Sequence, residues 1–256
     1  MDYQKILEAV IMVAQDAGYG IDFDRNFRVK QKGDIANIVT SMDVKIQGFI
    51  LDRLKEILPQ AKVFAEEEGI RNYDDGLVWV VDPIDGTTNY AYDCKHSCIS
   101  IALLNHHEGV IGVVYDPYLH ETFYAVANQG AFLNGRPLHV NEYDLSSSLT
   151  VVGTSPYRKE LADVTFANLK KLFVNTRDLR RSGSAALDLC YVACGRFDCF
   201  YESNLSPWDY GAASTIIKEA GGLIDAIKPD TWGFDKPIGV IAGTPSNFEG
   251  LRKIIE

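Results

Sequence analysis

The chain has 256 residues, 46% of them hydrophobic and 23% charged, a composition that can bury a substantial core and excludes disorder. Its 25 basic and 35 acidic side chains leave a net charge of −10, so nucleic acid is not an expected partner, because phosphate backbones are held by clustered Lys and Arg. No apolar run reaches the roughly 18 residues that cross a membrane, and the start at Met1-Asp2-Tyr3 has no basic opening or apolar signal core, so a cytoplasmic protein without membrane attachment is expected.

Residues 3–17 place Ile6, Leu7, Val10, Ile11, Val13 and Ala14 at helical spacing and predict a packing helix that stops at Gly18 and Gly20. Residues 22–38 read as polar and irregular. A second helix follows, with Thr40 or Ser41 as N-cap, Ile46, Phe49, Ile50, Leu54 and Ile57 as its apolar stripe, and Pro59 as its end. Asp43 falls in its first turn, where a carboxylate also complements the helix dipole. Val63-Phe64 reads as a short strand running into Glu66-Glu67-Glu68, which is either a solvated acidic run or a source of ligands.

The run Val78-Trp79-Val80-Val81 predicts a buried strand, and Pro83 cannot continue a ladder, so Asp82 is expected where that strand stops. Asp82 and Asp85 stand three residues apart ahead of Gly86-Thr87-Thr88. Such a segment is either an ordinary Asp-Pro turn or a loop that holds a hard cation on its carboxylates and an anion on its N–H groups and hydroxyls.

The five cysteines form no Cys-x-x-Cys pair, and their odd number argues for reduced thiols. Cys94, His96 and Cys98 alternate as on a strand, and no second cluster completes a soft-metal tetrahedron around them. From 97 to 152, short β-rich runs (97–104, 109–115, 121–127 and 149–152) predict an antiparallel meander, with His106-His107 at a hairpin tip and a turn at Asn134-Gly135. Helical spacing returns over 159–173 and 184–194, and a strand over 197–202 follows. Ser206 then caps a helix with Pro207 at its first position and Asp209 in its first turn, ending at Gly221-Gly222. Strands near 223–225 and 240–242 and a last helix over 248–255 complete an α+β fold with mixed and antiparallel sheets. Two closely packed parts are expected, 1–143 and 144–256, forming one compact unit.

Asp43, Glu66, Glu67, Asp82, Asp85 and Asp209 thus stand at the ends of separate elements. Each has a structural explanation when taken singly. Together they fit one Mg²⁺ centre, built from carboxylates on rigid elements with positions left for water and substrate.

With these residues in view, the chain resembles the inositol monophosphatase family of Mg²⁺-dependent, lithium-sensitive sugar phosphatases. The resemblance rests on Asp82-Pro83-Ile84-Asp85-Gly86-Thr87-Thr88-Asn89 and on Trp208-Asp209 with the Gly/Ala-rich helix behind it. It extends to Val39-Thr40-x-x-Asp43, to Glu66-Glu67, and to the segment 183–189 with Glu202 seven residues before Asp209. It covers Lys32 to Gly222, and departs from the common pattern at Ala65, where many members have Gly.

The resemblance implies a layered αβαβα sandwich. It implies a first Mg²⁺ on Glu66, Asp82 and the Ile84 carbonyl, a second on Asp82, Asp85 and Asp209, and a share for Glu66 in a third. Mn²⁺ would substitute, and Ca²⁺ and Li⁺ would inhibit. Thr87, hydrogen-bonded to Asp43, would take the proton of a metal-activated water that Glu66 orients. Gly86 and Thr87 would hold phosphate through their N–H groups, with Lys32 near it, while Glu202, Ala185 and Asp85 would meet the sugar. The implied activity is hydrolysis of inositol monophosphate, or of a related sugar or polyol phosphate, by a homodimer. Phosphatases of fructose 1,6-bisphosphate, NADP or 3′-phosphoadenosine nucleotides are the enzymatic alternatives. A non-catalytic regulator that binds metal or protein is the alternative from another class.

Overall fold

A computed structural model describes residues 1–23, 29–31, 38–67 and 75–255; Lys32 and Glu68 lie outside the described residues. The elements run α1 (Tyr3–Phe23), β1 (Val29–Gln31), β2 (Ile38–Thr40), α2 (Ser41–Ile57), β3 (Lys62–Ala65), β4 (Leu77–Asp85), α3 (Thr87–Ala91), β5 (Cys98–Asn105), β6 (Glu108–Asp116) and β7 (Glu121–Val126). They continue with β8 (Ala131–Leu133), β9 (Arg136–Pro137), β10 (Leu149–Val152), α4 (Ala162–Asn175), β11 (Asp178–Arg180), α5 (Ala185–Ala193), β12 (Cys199–Leu205), α6 (Pro207–Glu219), β13 (Leu223–Ala226), β14 (Ile238–Gly243) and α7 (Phe248–Ile254). Among the described residues, no helix is long and apolar enough to cross a membrane, and all five cysteines are free.

Two large sheets organise these elements. One has seven strands in the order β3-β4-β5-β6-β7-β8-β9; the other has five, in the order β11-β10-β12-β14-β13. β4 shows why its sequence reads as a continuous apolar run rather than an alternating one. Trp79 and Val81 pack with α1 and α2 on one face, while Val78 and Val80 pack with α5 and α6 on the other. The same α5–α6 layer packs against Phe200, Val240 and Ala242 of the second sheet, whose far face, with Cys199, Tyr201 and Ile241, is covered by α4 and α7. The layers are therefore α, β, α, β, α, the sandwich expected above.

Four local expectations are corrected. α1 does not stop at Gly18 but continues to Phe23. Gly18 serves a close approach instead, since a Cβ there would fall 2.4 Å from the Tyr115 ring, and Ile21 beyond it is fully buried. The stretch read as irregular contains β1, antiparallel to β2. β4 continues through Pro83 to Asp85, because Asp82 pairs with Ser100 and Asp85 with Cys98, so that Pro83 and Ile84 together oppose Ile99 alone. That bulge absorbs the proline, which has no N–H for the ladder. Finally β10 is no part of the meander; it lies in the second sheet, parallel to both β11 and β12. The hairpin tip at His106-His107 stands as expected, both residues in the left-handed region (φ 50° and 62°).

Candidate active site

β3 and β4 run parallel, with Ala65 opposite Val81, and the Glu66 N–H donates to the Val81 carbonyl at 3.2 Å. Glu66 and Asp82 therefore stand side by side just past the end of the β3–β4 pairing. The exit from β3 is fixed by Gln47 of α2, which exchanges two 2.9 Å hydrogen bonds with the Glu67 backbone. Glu67 is itself buried and is not among the residues of the cleft, whereas Glu66 is half-buried and lines it. On opposite faces of the sheet, α2 and α6 each begin with a capping box whose third residue is an aspartate, Asp43 bonded to Thr40 and Asp209 to Ser206. The caps fix where those two carboxylates lie.

Ligand atoms of Asp82, Asp85 and Asp209 lie within 4.8 Å of one another. Each acid commits one oxygen to the protein. Asp82 Oδ1 accepts from the Ile84 N–H at 3.0 Å, and Asp209 Oδ2 from the Ser206 N–H at 2.7 Å. Asp85 Oδ2 accepts from Ser184 Oγ at 2.5 Å and from the Ala186 N–H at 2.8 Å. The second oxygen of each is left without a protein donor among the described residues. Three free carboxylate oxygens with Glu66 beside them make an oxygen-only donor set, which fits a hard divalent cation such as Mg²⁺ and not a thiophilic one.

Beside this set, the Thr87 hydroxyl has two acceptors, Asp43 Oδ1 at 3.0 Å and the Ile84 carbonyl at 3.1 Å. Gly86 precedes it at φ 89°, where a Cβ would fall 3.0 Å from the His96 carbonyl. Asn89 ties the turn down, donating to the carbonyls of His96 (2.7 Å) and Ser182 (3.0 Å).

The electrostatics of the cluster favours a cation there. Burial, then the charges of Glu66, Asp85, Asp209 and Asp43, hold the Asp82 carboxyl well above its usual range. Burial, then Asp85 and Glu66, does the same to Asp209. Burial also pushes Asp85 up to about 6, against the bonds from Ser184 and Ala186, and Glu202 up to about 7, against the bond from Ser155. Both acids bind their proton more tightly in the folded chain than in the unfolded one, so the folded state holds the extra protons between about pH 4 and 7, and stability falls as pH rises through that window. The thermal midpoint of the protein stripped of divalent ions is therefore expected to drop between about pH 4.5 and 7.5, and saturating Mg²⁺ to remove the part of that slope that comes from Asp85 while leaving the part from Glu202. A midpoint that climbs across the window without metal would contradict this.

The cleft itself encloses about 370 Å³. Of the residues expected in the site, Glu66, Asp82, Ile84, Asp85, Gly86, Thr87, Ala185, Glu202 and Asp209 all line it, and Asp43 stands fully buried behind Thr87. Glu202 lies at a second bulge, between its pairing with Val240 and that of Leu205 with Ile238, and accepts from the Ser155 N–H at 2.7 Å. Ala185 opens α5, but the N–H that reaches Asp85 belongs to Ala186. Sequence reasoning did not single out Ser155 or Arg181 and took Ser184 and Asp188 only as part of the segment 183–189, without a role; all four also line the cleft. For Ser184 the available signal was its N-cap position before Ala185.

A family model described as the inositol monophosphatase family matches residues 2–256. Inositol monophosphatase 2 of Solanum lycopersicum is 36% identical over 257 residues, which cover 96% of this chain and 96% of that one. Nus factor SuhB of Escherichia coli K12 is 38% identical over 220 residues, covering 84% of this chain and 80% of that one. The solved structure of an inositol monophosphatase from Anabaena (Nostoc) has a TM-score of 0.88 at 34% identity, over 99% of this chain and 96% of its own. Since the motif that carries the clustered acids lies inside a match spanning all but the first residue, the chain belongs to the inositol monophosphatase family.

Proposed function

We propose that this protein is a Mg²⁺-dependent phosphomonoesterase that hydrolyses inositol monophosphate or a related sugar or polyol phosphate. The observation that carries the reading is the trio Asp82, Asp85 and Asp209, each with one oxygen tied to the protein and one left over, set beside the Thr87–Asp43 pair. Glu66, Asp82, Asp85, Asp209 and the Ile84 carbonyl would hold the cations. Bound there, Mg²⁺ supplies a water of lowered pKa and neutralises charge on the phosphate oxygens.

The rest belongs to the chain. Thr87 Oγ1 takes a proton from the attacking water and passes its own to Asp43 Oδ1, 3.0 Å away. Burial raises the Asp43 carboxyl, against bonds from Thr40, so it is a better proton acceptor than an exposed aspartate. The Thr40 N–H and hydroxyl hold its other oxygen and fix its orientation. Glu66 orients the water. The Gly86 and Thr87 N–H groups hold phosphate oxygens, and Glu202, Asp85 and the Ala185 backbone hold the polyol.

Phosphate release from a panel of esters at saturating Mg²⁺ tests the reading. Turnover of inositol 1-phosphate is expected to vanish with chelator and return with Mg²⁺; turnover that survives chelation rejects it. Comparison with fructose 1,6-bisphosphate, NADP and 3′-phosphoadenosine nucleotides separates the enzymatic alternatives. The relative named Nus factor SuhB favours a second reading, a regulator that keeps the fold. Turnover at ordinary phosphatase rates excludes that as the sole role, because a regulator needs neither the Thr87–Asp43 pair nor the spare oxygens. The family resemblance also supports a cytoplasmic homodimer of 1–143 and 144–256 parts, inhibited by Li⁺ and Ca²⁺.

A further inference from the structure

The Gly86–Thr87 turn packs against two segments far apart in the sequence. A Cβ at Gly86 would fall 3.0 Å from the His96 carbonyl and 3.2 Å from the Gly183 carbonyl. Asn89, the third residue of α3, ties the same two segments together, because its Nδ2 donates to the carbonyls of both His96 and Ser182. Side chains close the seam a second time. The Ser182 hydroxyl bonds the Asp188 carboxylate, and His96 Nε2 faces Asp188 Oδ1 at 3.6 Å.

Asp188 is 2% exposed and lines the cleft, and His96 Nε2 is buried with no hydrogen-bond partner among the described residues. At 3.6 Å the contact is too long for a good hydrogen bond but within ion-pair reach, so the charge on the imidazole carries it. The surroundings favour that charge. Burial opposes it, but Asp188 on α5, Asp116 at the end of β6 and Asp85 at the end of β4 outweigh burial and hold the imidazole above the ordinary histidine range. Tyr191 of α5 meets the ring edge-on, with Arg196 over its own ring. Lys95, next in the chain, is paired with Asp93, and the charge of Arg181 falls on Asp188. If His96 is neutral, an unmatched carboxylate faces the cleft where an anion must enter, and the seam under the phosphate turn loses its ion pair.

We propose that His96 is a positioning residue for the substrate phosphate: its imidazolium neutralises Asp188 and holds shut the seam under the Gly86–Thr87 turn, so that a neutral His96 weakens the grip on phosphate. This rests on the phosphatase reading above and adds a proton-controlled element to the same site. The sign follows from the pair: the grip is complete while His96 holds its proton and falls as pH rises through the alkaline side of the histidine range.

The test measures KM for myo-inositol 1-phosphate and p-nitrophenyl phosphate from neutral to alkaline pH, at saturating Mg²⁺, in wild type, His96→Gln and Asp188→Asn. Wild-type KM is expected to rise about fivefold, by the same factor on both esters, because phosphate is what they share. His96→Gln keeps a polar side chain without the charge, so its KM should stand at the wild-type alkaline value throughout. Asp188→Asn should also lose the step, which keeps the test open if the glutamine variant does not fold. Titration of the esters and of metal-bound water is common to all three proteins and cancels in the comparison. A wild-type KM without the step, a step that survives in the variants, or one confined to the inositol ester overturns the assignment and leaves the phosphatase reading standing. A lower thermal midpoint in the variants with the step intact would make the pair structural only, and overturns it as well. Wild type that releases phosphate from neither ester overturns the phosphatase reading, and this assignment with it.

Discussion

Asp82→Asn is expected to lower Mg²⁺-supported phosphate release by about a thousandfold while making the folded protein more stable, not less, when metal is absent. The two halves have one cause. Asp82 is 2% exposed and surrounded by Glu66, Asp85, Asp209 and Asp43, so its ionised form is opposed by burial and by four like charges. Only a cation reverses that local field. The amide keeps the shape, and its Oδ1 still accepts from the Ile84 N–H, so the turn into α3 survives. What disappears is one charge, a cost without metal and a ligand with it. Thermal melts with and without Mg²⁺ read both effects: the metal-free midpoint should rise, and the upward shift on adding Mg²⁺ should shrink. Near wild-type turnover, or a metal-free midpoint several degrees lower, would remove Asp82 from the centre of the site.

Thr87→Ala and Asp43→Asn are each expected to lower kcat by about a hundredfold or more, and the double variant to be no worse than the weaker single one. Both residues act on one proton, Thr87 as its first acceptor and Asp43 as its second, 3.0 Å apart. Removing either breaks the same transfer, so the losses cannot add. Thr87→Ser retains the hydroxyl and the N–H groups that face phosphate, and should keep most activity. KM should move little in all four variants, because phosphate is held by backbone. Losses that multiply in the double variant would mean that Thr87 and Asp43 do separate work.

The family motif was readable because its chemistry is concentrated in a few consecutive residues. Asp82 and Asp85 flank one proline; Asp43 and Asp209 are each third in a capping box, a local pattern of one N-cap and one acid. The bonds that hold these acids were not readable. Ser184 lies 99 residues from the Asp85 it donates to, Gln47 lies 20 from Glu67, and Ser155 lies 47 from Glu202. A serine or glutamine carries nothing in its neighbourhood that names a distant partner.

The same division runs through the fold. Helix caps, the His106-His107 hairpin and the stop at Gly221-Gly222 depend on neighbours in the chain, and the sequence alone determined them. The passage of α1 through Gly18, the continuation of β4 past Pro83 and the placement of β10 between β11 and β12 depend on surfaces brought together by folding. Only the tertiary structure decided these, and it also decided which oxygen of each acid is spent on the protein. Propensity at one residue is worth a fraction of a kilocalorie per mole, and a buried contact or a completed ladder outweighs it.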